Sequence, residues 1–88
     1  MSGDEPFILP IDGTLDLHAF RPQDVRSVVE DYLEAARHHG IREVRVIHGR
    51  GKGIQRGIVQ AVLEESPLVL EFHDDTDAHL GATIVRLA

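Results

Sequence analysis

The stretch "IREVRVIHGRGKGIQRGIVQAVLEESP", residues 41–67, changes its pattern twice. Ile41, Val44, Val46 and Ile47 in its first part read as a mostly buried strand. Gly49, Gly51 and Gly53 follow at alternating positions, a turn with no side chains to restrain it. From about Ile54 to Glu65 the apolar residues Ile58, Val59, Val62 and Leu63 return at helical spacing, and Pro67 stops the helix. A strand feeding a helix through a glycine turn points to an α/β domain.

The flanking sequence extends the same alternation of elements. "GTLDLHAF", residues 13–20, reads as a strand with Leu15 and Leu17 on one face and Asp16 and His18 on the other. Pro22 opens a helix at a favoured first position. Val25, Val28, Val29, Tyr32, Leu33 and Ala36 follow at helical spacing until Gly40 ends it. "LVLEFHD" and "GATIVRLA" supply a third and a fourth strand, joined by the loop "DDTDAHLG".

The order β-α-β-α-β-β predicts a two-layer α/β (α+β) sandwich, a four-stranded sheet with both helices on one face. Right-handed crossovers leave the strands they join parallel. Asp16, His18, Arg45, Glu71 and His73 then line the open face. Ligands usually bind at the carboxyl ends of parallel strands. His18 and the Gly49 turn both emerge at that edge.

At 88 residues the chain is one domain. Residues 1–12, with Pro6 and Pro10, read as a short lead, and residues 13–88 as the domain itself. The absence of cysteine excludes disulfides, thiolate metal sites and thiol nucleophiles. No basic start resembles a signal peptide, and no run approaches the roughly 20 apolar residues that span a bilayer. A soluble cytoplasmic domain without membrane contact is expected, with a monomer as the default state.

The net charge of -6 hides an uneven distribution. Arg37 to Arg56 carry six Lys/Arg against Glu43 alone, whereas the remainder carries three Lys/Arg against fourteen acids. A basic zone on an acidic body can bind a polyanion at one place. Solvated charge at a helix end is the other reading.

Within that zone, "GRGKG" lacks the Gly-Lys-Ser/Thr ending of a Walker loop and the glycine spacing of a dinucleotide fingerprint. It remains a strand-to-helix turn at a helix N-terminus, where unpaired N–H groups favour an anion. Arg50, Lys52 and Arg56 would surround that anion. Strand geometry puts Asp16 and His18 on one face, about 6.5–7 Å apart. The pair serves either as proton-transfer groups or as ordinary polar residues of an open sheet face. Asp16, His18 and His48 could gather a divalent metal, although no local spacing such as HExxH supports it. His38 and His39 fit a helix C-terminus.

"LDLH", "VIHGRGKGIQR" and "GATIVRL", in that order, resemble the Smr (small MutS-related) domain in a short stand-alone form. The family pattern is LDxH, then HGxGxGxLR, then a late GGxGxT. The resemblance runs from Leu15 to Leu87. It implies a sheet of order 1-2-4-3 with the last strand antiparallel, as in the C-terminal domain of a bacterial translation initiation factor. It further implies binding of DNA or RNA and, in many relatives, nicking or endonucleolytic cleavage. Asp16 and His18 then correspond to the suspected catalytic groups, and His48, Gly49 and Gly51 to the HGxG element. Arg56, the arginine after the loop, would stabilise charge in the transition state. Arg50, Lys52 and Gly53 complete the expected phosphate grip.

This chain has Ala19 where relatives usually have glycine after LDxH, and "AHLG" where they have GGxG, so only Gly81 remains. His79 in that loop would partly compensate as a phosphate donor. Attack by an RNA 2′-hydroxyl needs no metal, whereas attack by water on DNA makes a divalent ion such as magnesium a candidate cofactor. A binding module without catalysis, and a protein-interaction domain with the ribosome or another protein as partner, are the alternatives.

Overall fold

A computed structural model describes residues 11–51, 53–79 and 81–88. The proposed lead lies outside the described residues up to position 10, as does Lys52. The elements are β1 (Thr14–Asp16), α1 (Pro22–His38), β2 (Glu43–Ile47), α2 (Ile54–Glu65), β3 (Val69–Asp74) and β4 (Ala82–Leu87), with a single-turn helix at Thr76–Ala78 before β4. The sheet order is β1-β2-β4-β3, with β1 parallel to β2 and β4 antiparallel to both neighbours. Two helices and a mixed four-stranded sheet in that order are the expected architecture.

The pattern of apolar residues explains why the layers stack. Leu15, Val44, Val46, Val85 and Leu87 from the sheet, with Leu17 just after β1, meet Val25, Val29, Leu33, Ala36, Val59, Val62 and Leu63 from the helices in one core. Burying a side chain of this kind contributes roughly 1.5–3 kcal/mol relative to leaving it exposed. The helices themselves start and stop where local chemistry dictates. Pro22 fills the first turn of α1, where its missing N–H goes unneeded. At the other end Gly40, with φ +80°, reverses the chain. The Gly40 and Ile41 N–H groups then bond the Arg37 and Ala36 carbonyls.

One strand is shorter than its alternation predicts. β1 ends at Asp16 because the Asp16 carboxylate captures the His18 N–H at 2.9 Å. The chain turns there, and the Phe20 N–H closes the turn on the Leu17 carbonyl. His18 therefore leaves the sheet instead of following Asp16 along its open face. A register slip between Val69 and Glu71 also leaves Leu70 exposed on β3.

Because β1, β2 and β3 share one direction, their carboxyl ends fall on one edge with the start of β4. Asp16 pairs with Ile47, Ile47 with Ala82, and Asp74 with Thr83 across that edge. The row from Asp16 to Asp74 crosses three strand spacings, roughly 14 Å.

Candidate functional site

At the β1 end of this edge, Asp16 and His18 are in direct contact, Oδ1 to Nδ1 at 2.5 Å. The strand's early ending brings them together, where an extended chain would have kept them apart. A carboxylate oxygen only accepts, so His18 Nδ1 donates and, in the neutral ring, Nε2 keeps the lone pair. The backbone and side-chain bonds from His18 hold the Asp16 carboxyl below its usual range. Both side chains are more than half exposed.

Gly49 lies next to this imidazole: a Cβ there would stand 3.9 Å from His18 Nε2. Gly49, Gly51 and Gly53 have φ of +80°, +35° and +80°, conformations that other residues adopt only with strain. That explains the alternating glycines. A hollow of about 140 Å³ follows the turn, lined by Gly49, Arg50, Gly51, Gly53 and Ile54 with His48 and Gln55. Arg50 is exposed and makes no ion pair among the described residues.

Several expected phosphate contacts are instead spent inside the protein. The N–H groups of His48 and Gly49 both bond the Gly81 carbonyl, at 3.0 and 2.9 Å, and the Gly53 N–H bonds the Arg50 carbonyl. His48 is only 5 % exposed. Its ring is held between the Gly49 carbonyl and Thr83 Oγ1, both at 2.9 Å, so both ring nitrogens are engaged within the protein and it does not join Asp16 and His18 in a metal cluster. Among the described residues no cluster of three His, Asp or Glu is arranged to hold a metal ion. Gly81 permits close packing: a Cβ would meet the Ala78 carbonyl oxygen at 2.9 Å and Arg50 Cγ at 3.4 Å. His79, exposed and with φ +49°, stands two residues before it.

Arg56 also departs from the expected single clamp. Its Nε and Nη2 grip Asp74 at 2.9 and 2.8 Å, at the opposite end of the row from Asp16. The guanidinium holds the Asp74 carboxyl below its usual range, and the carboxylate raises Arg56 in return. Gln60 Nε2 joins the group, 3.2 Å from Asp74 Oδ1 and 3.4 Å from Thr83 Oγ1. Asp74, Gln60 and Thr83 were not among the residues picked from the sequence. For Thr83 the signal was present, since Thr83, Val85 and Leu87 share one parity of β4, and so do Val44, Val46 and His48 around β2. His38 and His39 sit at the C-terminus of α1, where His39 Nδ1 bonds the Ala35 carbonyl at 2.8 Å.

A helix-covered mixed sheet, with an acid–histidine pair beside a left-handed glycine turn at its carboxyl edge, defines a small α/β domain with an edge site. The Smr domain family profile matches residues 15–88, and the chain belongs to that family. It is 35% identical over 79 residues to the Endonuclease MutS2 of Caldicellulosiruptor saccharolyticus, an alignment covering 88% of this chain and 10% of that protein. It is 37% identical over 62 residues to the Ribosome rescue factor SmrB of Tolumonas auensis, covering 70% of this chain and 36% of that one. The chain thus spans about a tenth of the length of the MutS2 relatives it matches. Among solved structures, the Smr domain of Thermus thermophilus MutS2 superposes with a TM-score of 0.81 at 28% identity, covering 88% of this chain and 99% of that one. YdaL, a stand-alone small MutS-related protein from Escherichia coli, gives 0.79 at 28% identity, covering 89% and 66%. No described helix is long and apolar enough to cross a membrane.

Proposed function

We propose that this Smr domain binds DNA or RNA and cleaves its phosphodiester bonds at the edge formed by Asp16, His18 and the glycine turn. The observation that carries the reading is the His18 ring, bonded to Asp16 through Nδ1 and adjacent to Gly49 through Nε2. Relatives named as endonucleases, and one named as a ribosome rescue factor, support it and make the ribosome a candidate partner.

In this mechanism Arg50 and Lys52 draw a phosphate onto the turn, and the Gly51 N–H contacts it. Lys52 lies outside the described residues. His18 Nε2 takes a proton from the attacking oxygen or returns one to the leaving oxygen. Asp16, kept ionised by its bonds to His18, orients the ring by accepting from Nδ1 and so leaves Nε2 to the substrate. Arg56 presents Nη1 to the same nucleic acid from the Asp74 end, with Nε and Nη2 already engaged. On RNA the 2′-hydroxyl is the nucleophile and on DNA a water, with His18 Nε2 as the base in both.

The test is cleavage of supercoiled plasmid and of end-labelled RNA, each with magnesium and with EDTA, by wild type and the folded His18→Ala protein. Loss of cleavage with retained binding is the expected result. Intact substrates in every lane, together with salt-dependent binding by wild type, would replace the nuclease by a binding module. Absence of salt-dependent binding would point to a protein-interaction domain.

A further inference from the structure

The buried polar groups behind the glycine turn form a chain in which donor and acceptor roles leave little choice. The Gly49 carbonyl can only accept, so His48 Nδ1 must carry a proton at their 2.9 Å contact. Gln60 Nε2 can only donate, to Asp74 Oδ1 and to Thr83 Oγ1. The Thr83 oxygen accepts that bond, and its own hydroxyl proton goes to His48 Nε2 at 2.9 Å. Thr83 is wholly buried, so bulk solvent does not reach it. At the far end Asp74 is fixed by the two-point grip of Arg56. At the near end Gly49 is held on both sides, its carbonyl by His48 and its N–H by Gly81. The turn so held is the one beside His18 Nε2.

We infer that Thr83 and Gln60 are positioning residues: their directed hydrogen bonds fix His48 with Nδ1 as donor and Nε2 as acceptor and set the distance between the Gly49 turn and His18. Neither residue touches the substrate. The catalytic consequence rests on the proposed nuclease reading; the tautomer and the turn position do not. A displacement of about 1 Å at a reacting centre can lower a rate by about 10²-fold. The orienting chain is therefore expected to act on turnover, whereas Arg50 and Lys52 act on affinity.

Thr83→Val removes the hydroxyl while keeping the shape, Thr83→Ser retains it, and Gln60→Ala breaks the outer link. Imidazole nitrogen–proton correlation spectra of the free protein read the tautomer, and amide spectra read Gly49. The expected result is a His48 Nδ1–H pattern in wild type and Thr83→Ser. In Thr83→Val that pattern weakens, and the Gly49 amide and His18 ring signals shift. Cleavage turnover should fall about 10–10²-fold in Thr83→Val and less in Gln60→Ala, with Kd within about twofold of wild type. Thr83→Ser should recover most of it. Unchanged His48, Gly49 and His18 signals in both Thr83→Val and Gln60→Ala would overturn the inference. So would an Nε2–H tautomer in wild type. The spectra decide this even if wild type cleaves nothing, an outcome that would remove the nuclease reading alone.

Discussion

The two ends of the sheet each carry a concavity, and they differ in everything except being open. At the carboxyl edge the hollow is about 140 Å³, floored by glycine backbone and flanked by Arg50, with no carboxylate among the described residues of its lining. At the other end, between the C-termini of α1 and α2, the basin is about 1250 Å³. Glu30, Asp31, Glu34 and Glu65 line it, against Arg37, Arg42, His38 and His39. For a polyanion the smaller hollow is the better receptor, because charge and backbone approach decide phosphate binding, and volume does not. The histidines repeat the lesson. His39 closes a helix end by bonding its own turn, whereas His18 turns away from its strand and bonds a carboxylate.

Substitution can break this comparison, and the largest effect is expected from its two histidines. His18→Ala should lower the cleavage rate on the order of 10²–10⁴-fold, and His39→Ala should leave it unchanged, in matched single-turnover assays. Next come the glycines. Gly81→Ala forces a methyl group against the Ala78 carbonyl and should destabilise the fold by about 1–3 kcal/mol. It should also shift the Gly49 amide. Gly40→Ala meets no neighbour and pays only for its left-handed backbone, roughly 1–2 kcal/mol, with the glycine turn undisturbed. Thermal melts and amide spectra of the two variants separate the cases.

Smaller effects sharpen the charge contrast. Arg50→Ala should weaken binding and reduce the salt slope by about 0.7–0.9 per lost phosphate contact. Glu34→Gln, at the acidic end, should change stability by less than about 0.5 kcal/mol and leave cleavage alone. Acid titration adds one further check. Arg56 depresses Asp74, so the stability that carboxylate contributes is present above its unfolded value and is lost as pH falls through the folded one. Asp74→Asn should therefore be less stable than wild type at neutral pH, and the gap should close as pH drops below about 4. Denaturant midpoints across that range measure it.

Much of the fold was legible because periodicity reports burial directly. The helix bounds from Pro22 and from Ile54 follow from proline placement and apolar spacing, and both match the structure. The glycine turn was legible as a turn, since alternating glycines suit repeated left-handed backbone. What its N–H groups bond was not, because Gly81 is distant in sequence and its carbonyl carries no sequence signal. The contact between Asp16 and His18 was hidden by the strand reading, which a local carboxylate–amide bond overrode. Arg56 reads as a phosphate cation in the first part of α2, and its bond to Asp74 is not legible because that residue lies on a strand that pairing brings near. His48 was assigned to the ligand side by its motif, although its parity with Val44 and Val46 already placed it inward.

The most direct measurement is an amide spectrum of the labelled protein titrated with a short oligonucleotide at low and high salt. Binding at the carboxyl edge should move His18, Gly49, Arg50, Gly51, Gly53 and Ile54, leave Ala35, Gly40 and Ser66 in place, and reverse with salt. Shifts confined to Ala35, Gly40 and Ser66, or none at either end, would contradict a phosphate site at the glycine turn.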